Sequence, residues 1–151
     1  MKIPYINIQK QYKNEKKKLL KVIDKTLYSG NWVGGLEIEK FEKNIAKICK
    51  TKYCVALNSG TDALTLALHL LGVRRGDEVI TPPNSFIAST SVIVHLGAKP
   101  IFVDVKKDQS IDEDKIEDKI TSKTKAIMPV HLTGRMCAMD KIMNISKKYS
   151  I

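Results

Sequence analysis

Residues 76–105 read GDEVITPPNSFIASTSVIVHLGAKPIFVDV, and this stretch decides the fold. Glu78-Val79-Ile80-Thr81 is a short β-prone run that Pro82-Pro83 stops, because proline can neither donate to a ladder nor continue a central strand. Asn84 or Ser85 is placed to cap a helix running from about Phe86 to Leu96, which Gly97 closes. Pro100 to Val105 is a second apolar run. A strand, a helix and a strand in so short a span make a βαβ unit, which joins parallel strands.

The same alternation extends on both sides. Upstream, Tyr53 to Leu57 reads as a buried strand, Asn58 to Asp62 as a turn, and Ala63 to Leu71 as a helix with Leu64, Leu68 and Leu71 facing inward. Downstream, Asp112 caps a short helix to Ile120, Lys125 to His131 is a strand, Leu132 to Arg135 a loop, and Ala138 to Tyr149 a last helix. The expected fold is α/β, a largely parallel sheet with flanking helices, over residues 53–151. Residues 1–52 differ. A lysine-rich helix over 8–28 carries Leu20, Ile23 and Leu27, Ser29-Gly30-Asn31 stops it, and Gly34-Gly35 links it to a helix over 36–49 with Ile38, Phe41, Ile45 and Ile48 on one stripe. These two helices read as an N-terminal helical arm and flank. The alternation calls for a strand after the last helix, so Ser150-Ile151 reads as a premature stop.

Composition narrows the function. The 151 residues are 43% hydrophobic and 28% charged, a globular balance. No apolar run reaches the about 20 residues of a membrane helix, and none near the N-terminus has signal-peptide character, so a cytoplasmic protein with no membrane partner is expected. Three cysteines without CxxC spacing fit a reducing compartment. The net charge is +10, but 23 of the 26 basic residues are lysine, and the excess is concentrated before residue 59. Base readout and phosphate forks favour arginine, so no nucleic-acid partner is expected.

In open parallel sheets ligands collect at the C-terminal ends of the strands. Ser59-Gly60-Thr61 ahead of a helix offers free N–H groups and the positive end of a helix dipole, a phosphate cradle in outline. Gly60 would permit close approach and an unusual backbone conformation, and Thr61 adds a hydroxyl. There is no GxxxxGK[ST] and no GxGxxG. A simple N-cap, with Ser59 or Thr61 as the cap and Asp62 on the dipole, explains the same residues more economically. Phe86 sits just past a strand end, where its ring is either core or a stacking surface. Asp104 and Asp108 could hold Mg²⁺, though turn chemistry explains them too. His131 at a strand end is an acid, a base, a ligand contact or a hydrogen-bonded structural residue. No metal-ligand spacing is present.

A set of motifs in order resembles one family. Ile3-Pro4-Tyr5, Gln11-Tyr12, Ser29 to Val33 with Gly34, VALNSGTDAL (55–64), GDEVITPPNSFIAST (76–90), GAKPIFVDV (97–105), IDEDKIEDKI (111–120), TKAIMPVHLTG (124–134) and Met139-Asp140 are similar to the DegT-type sugar aminotransferases, pyridoxal 5'-phosphate (PLP) enzymes of the aspartate-aminotransferase fold. The resemblance spans essentially the whole chain and implies part of a PLP-transferase large domain. It implies that Gly60 and Thr61 bind the cofactor phosphate and that Phe86 stacks on the pyridine ring. Tyr5, Asn31, Trp32, Val33, Gly34 and Ser59 would lie at a nucleotide-sugar site. It further implies amino transfer, usually from glutamate, to a nucleotide-linked keto sugar, in a homodimer. Relatives that dehydrate sugars use the same scaffold. The lysine that bonds the cofactor and the carboxylate that faces its ring nitrogen match no position here; the resemblance puts both beyond Ile151, so the expectation is an N-terminal portion inactive alone. A non-catalytic α/β binding module or a degenerate remnant is the alternative; a remnant would have lost Gly60, Thr61 and Phe86.

Overall fold

The computed structural model describes residues 4–151. Ile3, the first residue of the N-terminal motif, lies outside them. The chain divides into two compact units, one ending at Ala56 and the other spanning Leu57–Ile151.

In the first unit, α1 (Ile8–Ser29) is capped by the Asn7 side chain, which accepts from Lys10 N–H, and closed by Gly30 at φ 68°. It buries no residue. The Trp32 indole N–H donates to the Leu27 carbonyl at 3.3 Å. Helix α2 (Leu36–Cys49) opens with Glu37 and Glu39, which suit the positive end of its dipole, and buries only Ala46. The run Tyr53–Leu57 forms no ladder among the described residues, contrary to its reading as a buried strand. Tyr53 and Val55 are exposed. The Ala56 N–H donates instead to Glu42 Oε1 at 2.8 Å, which ties the run to α2.

The second unit is built on three parallel strands, β1 (Glu78–Thr81), β2 (Lys99–Phe102) and β3 (Thr124–Ile127), in the spatial order β2-β1-β3. Ile80 stands beside Ile101 and Ile127, and Val79 beside Pro100 and Ala126. Side chains alternate across a strand, so these two rows face opposite layers. On one face Val79 and Ala126 meet α3 (Gly60–Leu70) and α4 (Ala88–His95) through Leu68, Val92 and Ile93. On the other, Ile80 meets Ile111, Ile116 and α5 (Met139–Tyr149) through Ile142 and Ile145. Apolar cover on both faces is what a parallel sheet requires.

Several local expectations change. Helix α3 starts at Gly60 rather than Ala63, and Leu71, expected inward, is exposed. The segment after Asp112 makes two 3₁₀ turns, Glu113–Lys115 and Glu117–Lys119, instead of one helix, although Asp112 does cap the first by accepting from Asp114 N–H. Neither Asn84 nor Ser85 caps α4. Asn84 Nδ2 donates to the Gln109 carbonyl and side chain at 3.2 and 3.1 Å, and the Ser85 and Ser89 hydroxyls share a bond at 2.7 Å. A distant partner took the Asn84 side chain, and a hydroxyl one turn on in α4 took that of Ser85, from the capping role their types favour.

Candidate functional site

The connections fix where a ligand can enter. Chain leaving β1 passes to α4 on one face, and chain leaving β3 passes to α5 on the other. The strand order therefore reverses between β1 and β3, and at such a reversal the loops of an open α/β sheet part to leave a ligand crevice beyond the strand ends. Thr81, fully buried, staples its floor by donating its hydroxyl to the Met128 carbonyl at 3.0 Å.

Helices α3 and α4 open at that same edge. Their C-terminal loops meet at the opposite edge, where Gly76 N–H donates to the Gly97 carbonyl at 3.3 Å. The two helices pack side by side, each leading into the start of a strand. Their N-termini thus both lie at the C-terminal end of the sheet, so the Ser59–Thr61 turn and Phe86 share one edge.

At the start of α3, the Ser59 hydroxyl oxygen accepts from Asp62 N–H at 3.1 Å and donates to Asp62 Oδ2 at 3.0 Å. Ser59 is the cap, and its carbonyl takes Ala63 N–H at 3.2 Å. The N–H groups of Gly60 and Thr61 lie too early in the helix for an intrahelical acceptor. Both residues are exposed. Gly60 does not have a positive φ, so the unusual backbone conformation expected of it is absent. What it supplies is room, because nothing lies within 4 Å of a β-carbon built there. The Thr65 hydroxyl donates to the Thr61 carbonyl at 2.9 Å, which firms the turn without using its amides. Phe86 is 77% exposed, so its ring is not core.

The loops around the crevice are tied together. Asn84 binds Gln109, as above. Asp108 accepts from the Ser110 hydroxyl at 2.7 Å and the Ser110 N–H at 3.0 Å, and these bonds hold its carboxyl below the ordinary carboxylate range. Arg135 Nη1 stands 3.9 Å from Asp108 Oδ2. Under the same loop, Glu113 is 5% exposed and pairs with Lys106 at 2.6 Å and Lys141 at 3.4 Å. Its Oε2 accepts no well-angled hydrogen bond, so the nearby Lys106 charge is what compensates it. The close pairing with Lys106 lowers the pKa of Glu113, against the effect of burial, and raises that of Lys106. Asp104 accepts from its neighbour Val105 N–H at 2.8 Å, a turn contact. Among the described residues no three His, Cys, Asp or Glu side chains gather as metal ligands.

The arrangement can hold an anion on the α3 amides and face a flat group with the Phe86 ring. In the first unit, Tyr5, Asn31, Trp32, Val33 and Gly34 are all exposed, and Asn31 N–H donates to the Ser29 hydroxyl at 3.2 Å.

A family model described as "DegT/DnrJ/EryC1/StrS aminotransferase family" matches residues 13–151. The chain belongs to this family. Among relatives of this DegT-family chain, dTDP-3-amino-3,6-dideoxy-alpha-D-galactopyranose transaminase of Aneurinibacillus thermoaerophilus is 41% identical over 99% of the chain and 41% of its own length. UDP-2-acetamido-2-deoxy-3-oxo-D-glucuronate aminotransferase of Pseudomonas aeruginosa is 37% identical over 99% of the chain and 42% of its own length. The crystal structure of NtdA from Bacillus subtilis with bound cofactor PMP superposes with a TM-score of 0.95 at 37% identity, over 99% of this chain and 35% of that one. The DegT-family chain thus spans less than half the length of these relatives.

The order reversal between β1 and β3 was not read from the sequence. Strand adjacency is a non-local property, so residue types could mark Ser59-Gly60-Thr61 as the sharpest turn but not which strand-end loops share one edge with it.

Proposed function

We propose that this chain forms the phosphate- and ring-binding part of a PLP-dependent aminotransferase acting on nucleotide-linked keto sugars. The observation that carries the reading is the pair of unpartnered amides at Gly60 and Thr61 opening on the same sheet edge as the exposed Phe86 ring. Two N–H donors at a helix start suit a phosphate dianion, and an aromatic face suits a pyridine ring. The space over Gly60 fits a phosphate oxygen against the backbone. The cofactor, when bound, supplies an aldehyde carbon that accepts and returns the amino group. Gly60 and Thr61 anchor its phosphate, and Phe86 fixes the plane of its ring.

The substrate class is supported by the dTDP- and UDP-sugar relatives, and glutamate as donor by a 37% identical relative named 3-oxo-glucose-6-phosphate:glutamate aminotransferase, from Bacillus subtilis. Tyr5 and the 31–34 segment of the first unit and, separately, Ser59 of the second are proposed as sugar-nucleotide contacts of a homodimeric cytoplasmic enzyme. No position in this sequence matches the family's cofactor-bonding lysine or its ring-nitrogen carboxylate, so the chain alone is expected to bind and orient but not turn over.

The test is pyridoxamine 5'-phosphate (PMP) binding to the whole chain by equilibrium dialysis. PMP lacks an aldehyde and so avoids reaction with the 23 lysines. Phe86→Ala should weaken binding by about 2- to 12-fold, the worth of one aromatic stacking contact. The reading fails if PMP does not bind, or binds Phe86→Ala and Gly60→Ala as tightly as the parent chain.

A further inference from the structure

His131 lies in the loop beyond β3, on the far side of the crevice from the Phe86 loop. The residue is exposed, yet one ring nitrogen is committed. The Cys137 N–H donates to His131 Nδ1 at 3.2 Å. Cys137 is itself 3% exposed, and its thiol donates to the Val130 carbonyl at 3.2 Å. One buried residue therefore clasps the loop at two points, its start and the histidine ring. Between them the chain makes a tight turn in which Gly134 N–H donates to the His131 carbonyl at 3.0 Å. Thr133 sits in that turn at φ 54°, a conformation β-branched residues rarely take, so the turn is held by its surroundings rather than by local preference.

A nitrogen that accepts a backbone N–H carries no proton. In a neutral imidazole the proton must then be on Nε2. Nε2 has no partner among the described residues. An exposed histidine with a fixed tautomer, on a clasped and strained loop beside the strand-order reversal, is a built donor. A packing histidine would use both nitrogens internally or lie buried.

We propose that His131 is a further ligand-binding residue of the β1/β3 crevice, held as the Nε2–H tautomer so that it donates one hydrogen bond to an acceptor oxygen of a bound phosphorylated pyridine. The inference rests on the cofactor-site reading above and adds to it a contact from the opposite lip. Cys137 is the positioning residue, acting through the ring it orients.

The experiment uses the ¹⁵N-labelled whole chain and PMP as the probe. Long-range ¹H–¹⁵N spectra at neutral pH should show His131 Nδ1 as a bare acceptor and Nε2 as proton-bearing. PMP should then move the Nε2 resonance together with the Gly60 and Thr61 amides. His131→Ala should lose about 2- to 12-fold in PMP affinity, as expected for one neutral hydrogen bond, and His131→Gln, which keeps a donor at the Nε2 position, should stay within about twofold of the parent. A proton on Nδ1 overturns the proposal. So does PMP binding that moves the Gly60 and Thr61 amides while His131 Nε2 stays still and His131→Ala binds like the parent; that outcome leaves the cofactor-site reading intact. Failure of PMP to move any of these resonances removes the cofactor-site reading, and this inference with it.

Discussion

Gly60 stands at a position where stability and ligand binding make opposite demands. It is the first residue of α3, without positive φ, and a β-carbon there meets nothing within 4 Å. Alanine suits a helix better than glycine by up to about 1 kcal/mol. Gly60→Ala is therefore expected to leave the melting temperature unchanged or raise it, while the added methyl intrudes on the anion and weakens PMP binding. Calorimetry and dialysis on one preparation check both halves. A fall in stability with affinity unchanged would make Gly60 a structural glycine. The two readings of Ser59-Gly60-Thr61, cap or cradle, turn out to be compatible, because the cap uses the Ser59 side chain and leaves the next two amides free. That much was legible from residue types, since capping chemistry is local. The Nδ1 bond of His131 was not, because its donor, Cys137, is placed by a turn whose left-handed Thr133 no propensity favours.

Elements are joined here by contacts of unequal cost, and two can be weighed. The α4–β2 connection turns at Gly97, φ 75°, where a β-carbon would lie 3.1 Å from Arg75 Cβ and 3.3 Å from Arg75 Cα. Gly97→Ala should lose about 1–3 kcal/mol from backbone strain and crowding together. Gly134→Ala, at φ 83° with open space around it, should lose less, and urea unfolding of the pair ranks them. The second case is Glu113, which links the 104–111 loop, the first 3₁₀ turn and α5 through Lys106 and Lys141. Its pKa is lowered from 4.5 in the fold, so its contribution is complete above that value and is lost as pH falls through the depressed one. The raised Lys106 works in the other sense, contributing fully below 10.5 and losing its share as pH climbs past its folded value. Glu113→Gln should cost about 1–3 kcal/mol at pH 7, and the gap to the parent should shrink on acidification. Melting curves from pH 7 to pH 3 would contradict this if the gap stayed constant. At this scale β1 was legible to the residue, since Pro82-Pro83 marks its end in the chain itself. The Tyr53–Leu57 run was not, because a strand needs a partner and the side chain of Glu42 took its amide instead.

Across the whole molecule, burial is uneven enough to order its parts by stability. Val79, Ile80, Val92 and Ile93 are fully buried, and their elements brace both faces of the sheet. Helix α1 has 22 residues and buries none of them; Leu20, Ile23 and Leu27, the stripe read as apolar, are each at least half exposed. Lysines at 13, 16, 17, 18 and 21 include i,i+3 and i,i+4 pairs of like charge, which oppose helix formation. A helix of this length without packing is marginal in water, because most helical stability in proteins comes from the buried face. Hydrogen exchange in the free chain at low concentration should therefore find α1 amides exchanging close to the unstructured rate, while β1 and α4 amides open only with global unfolding. The prediction separates two roles for the apolar stripe. If α1 is unprotected when dilute and gains protection as concentration rises, the stripe is an association surface, in keeping with its exposed apolar area. If α1 is protected like β1 even at the lowest concentration, with the chain shown to be monomeric by sedimentation, the stripe is buried within a single chain and the stability order argued here is wrong.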